Sequence, residues 1–136
     1  MATVEMVEYE DASFEVRQIY DDIMATRGVD WINSFWKVLA VQPALLRRTW
    51  DGVKEVMALG AVDVLTKEMI YIAVSVSNGC EYCVNSHTAG ARKKGMNDEM
   101  LAELLAVVGM ANQTNALANG FQVEVDQVFL RGGLSS

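Results

Sequence analysis

Both cysteines of this chain and its only histidine lie close together in one short stretch. Cys80 and Cys83 are three positions apart, and His87 follows four positions after the second thiol. On a helix, residues with this spacing lie on one face. Two neighbouring thiols can cycle between a dithiol and a disulfide, and an imidazole one helical turn away can accept a thiol proton. The spacing therefore indicates thiol redox chemistry, with metal binding and inert packing as the alternatives.

Reduction of a peroxide needs a thiolate, a second thiol and a group that moves a proton. The thiolate attacks the O–O bond and becomes a sulfenic acid, which the second thiol converts to a disulfide before further oxidation. A helix that begins near Cys80 favours a thiolate there, because a helix N-terminus carries partial positive charge. His87, one turn beyond Cys83, favours Cys83 instead. These two arguments leave the attacking thiol open.

Glu68, on the segment before the cysteines, is a candidate partner for the imidazole. Residues 66–78 predict a buried helix, since Thr66 and the two charged residues after it are typical of a helix start. The β-branched run at 71–77 also suits a buried strand, but one strand among helices would have nothing to pair with. Asn78-Gly79 predicts the break between this helix and the cysteine helix.

The rise of a helix predicts that Glu68 lies beside His87. At about 1.5 Å per residue, Glu68 is roughly 15 Å from the turn at Asn78-Gly79. If the cysteine helix folds back antiparallel, Glu68 is level with about residue 90 and only ~4–5 Å from the level of His87. The predicted relay order is therefore Cys83, His87, Glu68. The alternative for Glu68 is a first-turn carboxylate that interacts with the helix dipole.

A zinc site is a weaker interpretation of the same residues. Structural zinc takes about four ligands, and Cys80, Cys83 and His87 supply three. A fourth ligand would have to come from Glu68 or from another subunit. We therefore expect no resident metal and no cofactor. A pair of inert buried thiols with a core histidine is the packing alternative.

The remaining residues predict a single all-α domain over 1–136. One proline and ten glycines argue against a loop-rich all-β fold. Apolar residues recur at helical spacing, with glycines, Pro43 and capping residues at the predicted ends. About six or seven helices follow, around an antiparallel hairpin that carries the CxxC pair. Their predicted ranges are about 13–27, 31–40, 43–59, 66–78, 80–94, 97–108 and 113–130, with a frayed tail over 131–136.

Charge and hydropathy restrict the partners. The net charge of −7 argues against nucleic acid. The acidity is concentrated in residues 1–26, which hold seven acids and one base. No uncharged apolar run is long enough for a membrane span. The first ten residues lack the basic and apolar regions of a signal peptide, so we expect a cytoplasmic, reducing location and no membrane partner.

Together these motifs resemble the alkylhydroperoxidase AhpD-like family of the carboxymuconolactone decarboxylase superfamily. The resemblance covers about residues 43–95. It is carried by Pro43 at a helix start, Glu68, the run Asn78-Gly79-Cys80-Glu81-Tyr82-Cys83, His87 and Gly95. This spaced pattern is far more specific than CxxC alone. The chain resembles the small members of the family that have a single CxxC motif.

The resemblance implies a function and a set of partners. The expected activity is thiol-dependent alkylhydroperoxidase, or disulfide reductase, in antioxidant defence. The substrate would be a peroxide, and the electron donor a dithiol of protein or lipoyl type. The family also implies homo-oligomers, commonly trimers or hexamers. By resemblance, Cys83 is peroxidatic, Cys80 is its disulfide partner, and His87 with Glu68 forms the proton relay.

Two features separate this chain from parts of the family. Tyr82 stands where some peroxidase-active members carry a histidine. True decarboxylases of the superfamily lack the CxxC pair, which disfavours lactone decarboxylation. The alternative functions are a redox-sensing or structural oligomer, whose thiols oxidise without peroxide turnover, and a decarboxylase-like lyase.

Overall fold

The structure is a computed structural model that describes residues 1–130. These residues form six α-helices, two short 3-10 helices and no strand, which confirms the predicted all-α class. The α-helices are α1 (Phe14–Arg27), α2 (Ser34–Leu39), α3 (Pro43–Met57), α4 (Val64–Asn78), α5 (Glu81–Lys93) and α6 (Asp98–Gly120), and the 3-10 helices are Tyr9–Asp11 and Gln127–Phe129. No helix of the described residues is both long enough and apolar enough to cross a bilayer.

The chain divides into two compact units, Met1–Ala58 and a second that begins at Leu59. The single domain over 1–136 stays a prediction. The first unit holds α1 to α3, and its core includes Tyr20 and the edge-to-face pair Trp36 and Trp50, whose ring centroids are 5.4 Å apart. Trp50 Nε1 also donates to Asp22 at 2.7 Å. Trp36 of α2 and Trp50 of α3 therefore both supply core side chains to this unit.

The second unit holds the hairpin of α4 and α5, with α6 packed on α4. Asp63 caps α4 by accepting from the N–H of Thr66 at 2.9 Å, so the helix begins two residues before the predicted Thr66. Ile72, Ala91 and Met96 form the buried core of this unit. Because α4 and α5 share this core, their relative rotation is set by apolar packing, and the polar residues beside it are held in register.

The predicted break between residues 108 and 113 is wrong, and so is a last helix reaching residue 130. Helix α6 runs unbroken to Gly120, because each added residue completes one more backbone hydrogen bond. It ends where Gln122 takes a left-handed φ of 51°. There Val123 N–H donates to Ala118 O at 3.0 Å and Gln122 N–H to Asn119 O at 3.1 Å, as in a Schellman motif. The tail expected to fray, 131–136, lies outside the described residues.

Candidate active site

The turn between α4 and α5 brings the first cysteine to a helix N-terminus. Gly79 takes a left-handed φ of 69°, which a side chain would disfavour, and so lets the chain reverse. Cys80 N–H donates back to Ser75 O at 2.9 Å. Cys80 is therefore the N-cap of α5, and its Sγ accepts from the N–H of Cys83 at 3.4 Å.

The two free thiols have opposite tendencies to ionise. A hydrogen bond from the Cys83 thiol lowers the pKa of Cys80, and the backbone N–H groups of Cys83 and Tyr82 add to this effect. Burial, with the hydrogen bond and charge of the neighbouring Cys80, raises the pKa of Cys83 to about 11, although a hydrogen bond with Ser75 acts in the opposite direction. Of the two thiols, Cys80 therefore ionises more readily, in the direction that the helix N-terminus argument predicts.

Glu68 and His87 lie in direct contact across the hairpin. Nδ1 of His87 is 2.7 Å from Oε2 of Glu68, and the glutamate is only 8% exposed. Burial by itself raises the pKa of Glu68, but the hydrogen bonds and charges of His87 and Lys94 outweigh it, so the pKa is lowered overall. Glu68 is therefore a carboxylate that accepts hydrogen bonds, and Nδ1 of His87 is the donor.

Gly90 on α5 makes room for the carboxylate. A Cβ at this position would lie 3.2 Å from Oε1 of Glu68 and 3.3 Å from Oε2. Glu68 is thus level with residue 90, the level expected from the helix rise. A glycine inside a helix lowers stability relative to alanine. Its presence at position 90 was therefore a sign in the sequence that another group approaches the backbone there.

Two further α4 side chains, not among the predicted site residues, face the α5 site. The Tyr71 ring stacks on His87, with centroids 3.7 Å apart and planes inclined by 21°. Burial raises the pKa of Tyr71, and the charges of Cys83, Cys80 and Glu68 raise it further. Ser75 is 4% exposed and hydrogen-bonds the Cys83 thiol. They follow Glu68 by three and seven positions, and this spacing in the sequence indicates that all three side chains lie on one face of α4.

Lys94 completes the set of contacts at Glu68. Its Nζ lies 3.2 Å from Oε1, the carboxylate oxygen that His87 does not contact. Lys94 is not among the predicted site residues. The structure therefore brings together the four predicted site residues on one hairpin and adds Tyr71, Ser75, Gly90 and Lys94 to them.

An apolar cavity of about 370 Å³ lies on the other face of α5. Val84, Thr88 and Arg92 line one wall, and Leu101 and Leu105 of α6 line another. It does not include the thiols or His87. Over residues 1–130, no group of three or more histidine, cysteine or acidic side chains is arranged to bind a metal ion.

Comparison with known proteins identifies relatives of this fold and site. The model of the carboxymuconolactone decarboxylase family matches residues 43–124. A solved structure from Rhodospirillum rubrum, the alkylhydroperoxidase AhpD core, is 53% identical with a TM-score of 0.92, covering 96% of this chain and 98% of that one. The alkyl hydroperoxide reductase AhpD of Solibacter usitatus is 35% identical over 74 residues, which are 54% of this chain and 40% of that protein. A Paracoccus denitrificans protein described as uncharacterized protein 4 in cox locus is 34% identical over 77 residues, 55% of this chain and 69% of that protein.

Proposed function

Because the chain belongs to the carboxymuconolactone decarboxylase family and is AhpD-like, we propose that it is a thiol-dependent peroxidase acting through a Cys80–Cys83 disulfide. Its substrates are alkyl or hydrogen peroxides. The observation that carries this proposal is the 2.7 Å contact between His87 Nδ1 and Glu68 Oε2, one helical turn from Cys83. The names of two relatives, an alkylhydroperoxidase and an alkyl hydroperoxide reductase, support the substrate class.

In the proposed cycle, Cys83 attacks the peroxide and Cys80 resolves the product. His87 takes the Cys83 proton as the sulfur attacks one peroxide oxygen; the O–O bond breaks, and the leaving alkoxide receives the proton as alcohol. Cys83 is then a sulfenic acid. The Cys80 thiolate displaces its hydroxide, which is protonated to water, and a disulfide forms. A dithiol donor of protein or lipoyl type returns the two electrons.

The assignment of these roles rests on two different supports. The family resemblance and the position of His87 support Cys83 as the attacking sulfur. The lowered pKa of Cys80, due first to the hydrogen bond from Cys83, supports Cys80 as the nucleophile of the second step. Glu68 orients His87 so that Nε2 is the nitrogen left to take up a proton. Tyr71, stacked on the ring, limits its rotation.

A second candidate function is thiol–disulfide exchange or redox sensing without peroxide turnover. It is favoured by the Cys83 pKa of about 11, which disfavours the thiolate that peroxide attack requires. Tyr82 is 45% exposed and, by the family resemblance, stands where some peroxidase-active members carry a histidine. Thiol–disulfide exchange through the Cys80 thiolate requires neither a Cys83 thiolate nor a histidine at position 82. A lyase is disfavoured because the site is built around the thiol pair.

The proposed assembly is a homo-oligomer, a trimer or hexamer as the family resemblance implies. The stretch 104–123 carries no charged residue, although most of it is exposed in the single chain. Met110, Leu117 and Phe121 are 58%, 51% and 80% exposed. Charge-depleted apolar surface of this kind is typical of the core of a subunit interface.

The proposed location is the cytoplasm, because a dithiol-dependent cycle requires a reducing compartment.

Peroxide consumption with a dithiol donor tests the proposed function. The wild type and Thr88→Ala, on the cavity face of α5, should consume alkyl hydroperoxide at the same rate. Cys83→Ser and Cys80→Ser should lose multiple turnover, because neither variant can form the disulfide. Equal consumption by the wild type and Cys83→Ser would exclude the proposed peroxidase.

A further inference from the structure

Each oxygen of the Glu68 carboxylate contacts one side chain from α5 or from the residue that follows it. His87 contacts Oε2 at 2.7 Å, and Lys94 contacts Oε1 at 3.2 Å. The Glu68 side chain is 10% exposed, whereas that of Lys94 is 36% exposed. The lysine thus reaches from the surface, at the end of α5, to a carboxylate that water scarcely reaches.

We propose that Lys94 is a positioning residue for the relay: its ammonium keeps Glu68 ionised, and the ionised carboxylate holds the His87 proton on Nδ1. The consequence for catalysis rests on the function proposed above. The effect on Glu68 and on the imidazole proton does not depend on it and can be measured without any peroxide.

The argument begins with the cost of burying a carboxylate. An unpaired buried carboxylate tends to take up a proton, because its charged form loses hydration. A protonated Glu68 could donate its O–H to Nδ1 of His87, and the imidazole would then carry its own proton on Nε2. The ionised form can only accept, so the proton must be on Nδ1. The charge state of Glu68 therefore decides which imidazole nitrogen is free to act as a base.

The other groups near Glu68 do not replace Lys94. On α4, Tyr71 stacks on the imidazole and is itself affected by the Glu68 charge. On α5, His87 contributes its hydrogen bond. On α6, which packs on α4, Asp98 is paired with Arg92 at 2.8 Å. The full charge that contacts Oε1 is that of Lys94.

The direct experiment follows Glu68 and His87 by NMR while the pH is lowered. Carboxyl ¹³C shifts report the titration of Glu68, which is assigned by its loss in Glu68→Gln. Imidazole ¹⁵N shifts need no assignment, because the chain has a single histidine. The variants are Lys94→Met and Lys94→Gln, with Lys94→Arg as the conservative change. Lys93→Met, at the neighbouring exposed lysine, is the matched control.

In both neutral variants the Glu68 titration should move to higher pH, and the signature of a protonated Nδ1 should be lost together with the Glu68 charge. Lys94→Arg and Lys93→Met should behave as the wild type. The proposal is overturned if Lys94→Met and Lys94→Gln give the same Glu68 titration and the same imidazole ¹⁵N shifts as Lys93→Met. It is also overturned if Lys94→Arg shows the changes expected of the two neutral variants. Circular dichroism of each variant confirms that the helices are intact.

The kinetic measurement links this effect to the proposed function. In Lys94→Met, peroxide consumption should fall several-fold, roughly fivefold, at acidic pH, where Glu68 without its cationic partner takes up a proton more readily, and should change little at alkaline pH. If the wild type consumes no peroxide, the proposed function fails, while the NMR signals still decide the role of Lys94. An unchanged pH profile in an active Lys94→Met enzyme would refute the catalytic consequence.

Discussion

Oε2 of Glu68 on α4 lies 2.7 Å from Nδ1 of His87 on α5, across the hairpin that turns at Gly79. The two residues are nineteen positions apart in sequence. Their contact joins a buried carboxylate to the only imidazole of the chain, one helical turn from Cys83. In the proposed mechanism, this contact leaves His87 to accept the Cys83 proton, with Glu68 as the hydrogen-bond partner of the imidazole.

The first prediction concerns the ionisation of the two thiols. Near pH ~7, iodoacetamide should modify Cys80 before Cys83, because the pKa of Cys80 is lowered and that of Cys83 is raised to about 11. Peptide mass spectrometry after partial alkylation gives the order directly. Cys83→Ser should keep the reactivity at neutral pH, whereas Cys80→Ser should react only at higher pH. Equal rates for the two single-thiol variants would contradict the described geometry.

The second prediction concerns the close approach of Gly90 to the Glu68 carboxylate. Gly52→Ala on α3, where a Cβ meets nothing within 4 Å, should stabilise the protein by about 0.4–1 kcal/mol. Gly90→Ala should gain less or lose stability, because its Cβ would lie 3.2 Å from Oε1 and push the carboxylate off His87. Urea unfolding measures both changes. A Gly90→Ala protein as stable as Gly52→Ala, with full peroxidase activity, would show that this contact is unimportant.

These two sites also show how far the sequence alone leads. The helix rise was enough to place Glu68 near the level of His87 and of residue 90, since both helices are regular and the turn is tight. The contacts of Tyr71, Ser75 and Lys94 depend on how each helix is rotated about its axis. That rotation is set by packing around Ile72 and Ala91, which spacing along the chain does not encode.

The end of the chain shows a different limit. The sequence predicts one helix over about 97–108 and another from about 113, but α6 is continuous through this boundary to Gly120. Local propensity is weak beside the gain from extending an existing helix. The actual end depends on the left-handed conformation of Gln122, which is uncommon outside glycine and has no clear signature in the sequence.

The third prediction is a pH dependence of stability. The folded pKa of Glu68 is lowered below its ordinary value, so its contribution to stability is present above that ordinary value and is lost as pH falls through the folded pKa. The difference in unfolding free energy between the wild type and Glu68→Gln should therefore be largest near neutrality and should shrink with acidification. Urea unfolding of both proteins at several pH values measures this difference. The matched control is Glu99→Gln at the exposed start of α6, which should show no such trend. A difference that stays constant with pH would contradict the ionised state of Glu68.

The fourth prediction concerns assembly through the second half of α6. Leu117→Glu places a charge on the uncharged stretch 104–123 and should shift the protein to smaller species. Light scattering coupled to size exclusion measures the mass. Glu99→Lys, at the start of the same helix, should leave the mass unchanged. An oligomer that survives Leu117→Glu would place the subunit interface elsewhere.

The most direct test of the central claim is a single turnover of the reduced protein with one equivalent of an alkyl hydroperoxide and no electron donor. The proposed mechanism predicts one equivalent of alcohol and the loss of two hydrogens from the protein mass, with Cys80 and Cys83 joined in one peptide after digestion. Unconsumed peroxide with both thiols still free would contradict it.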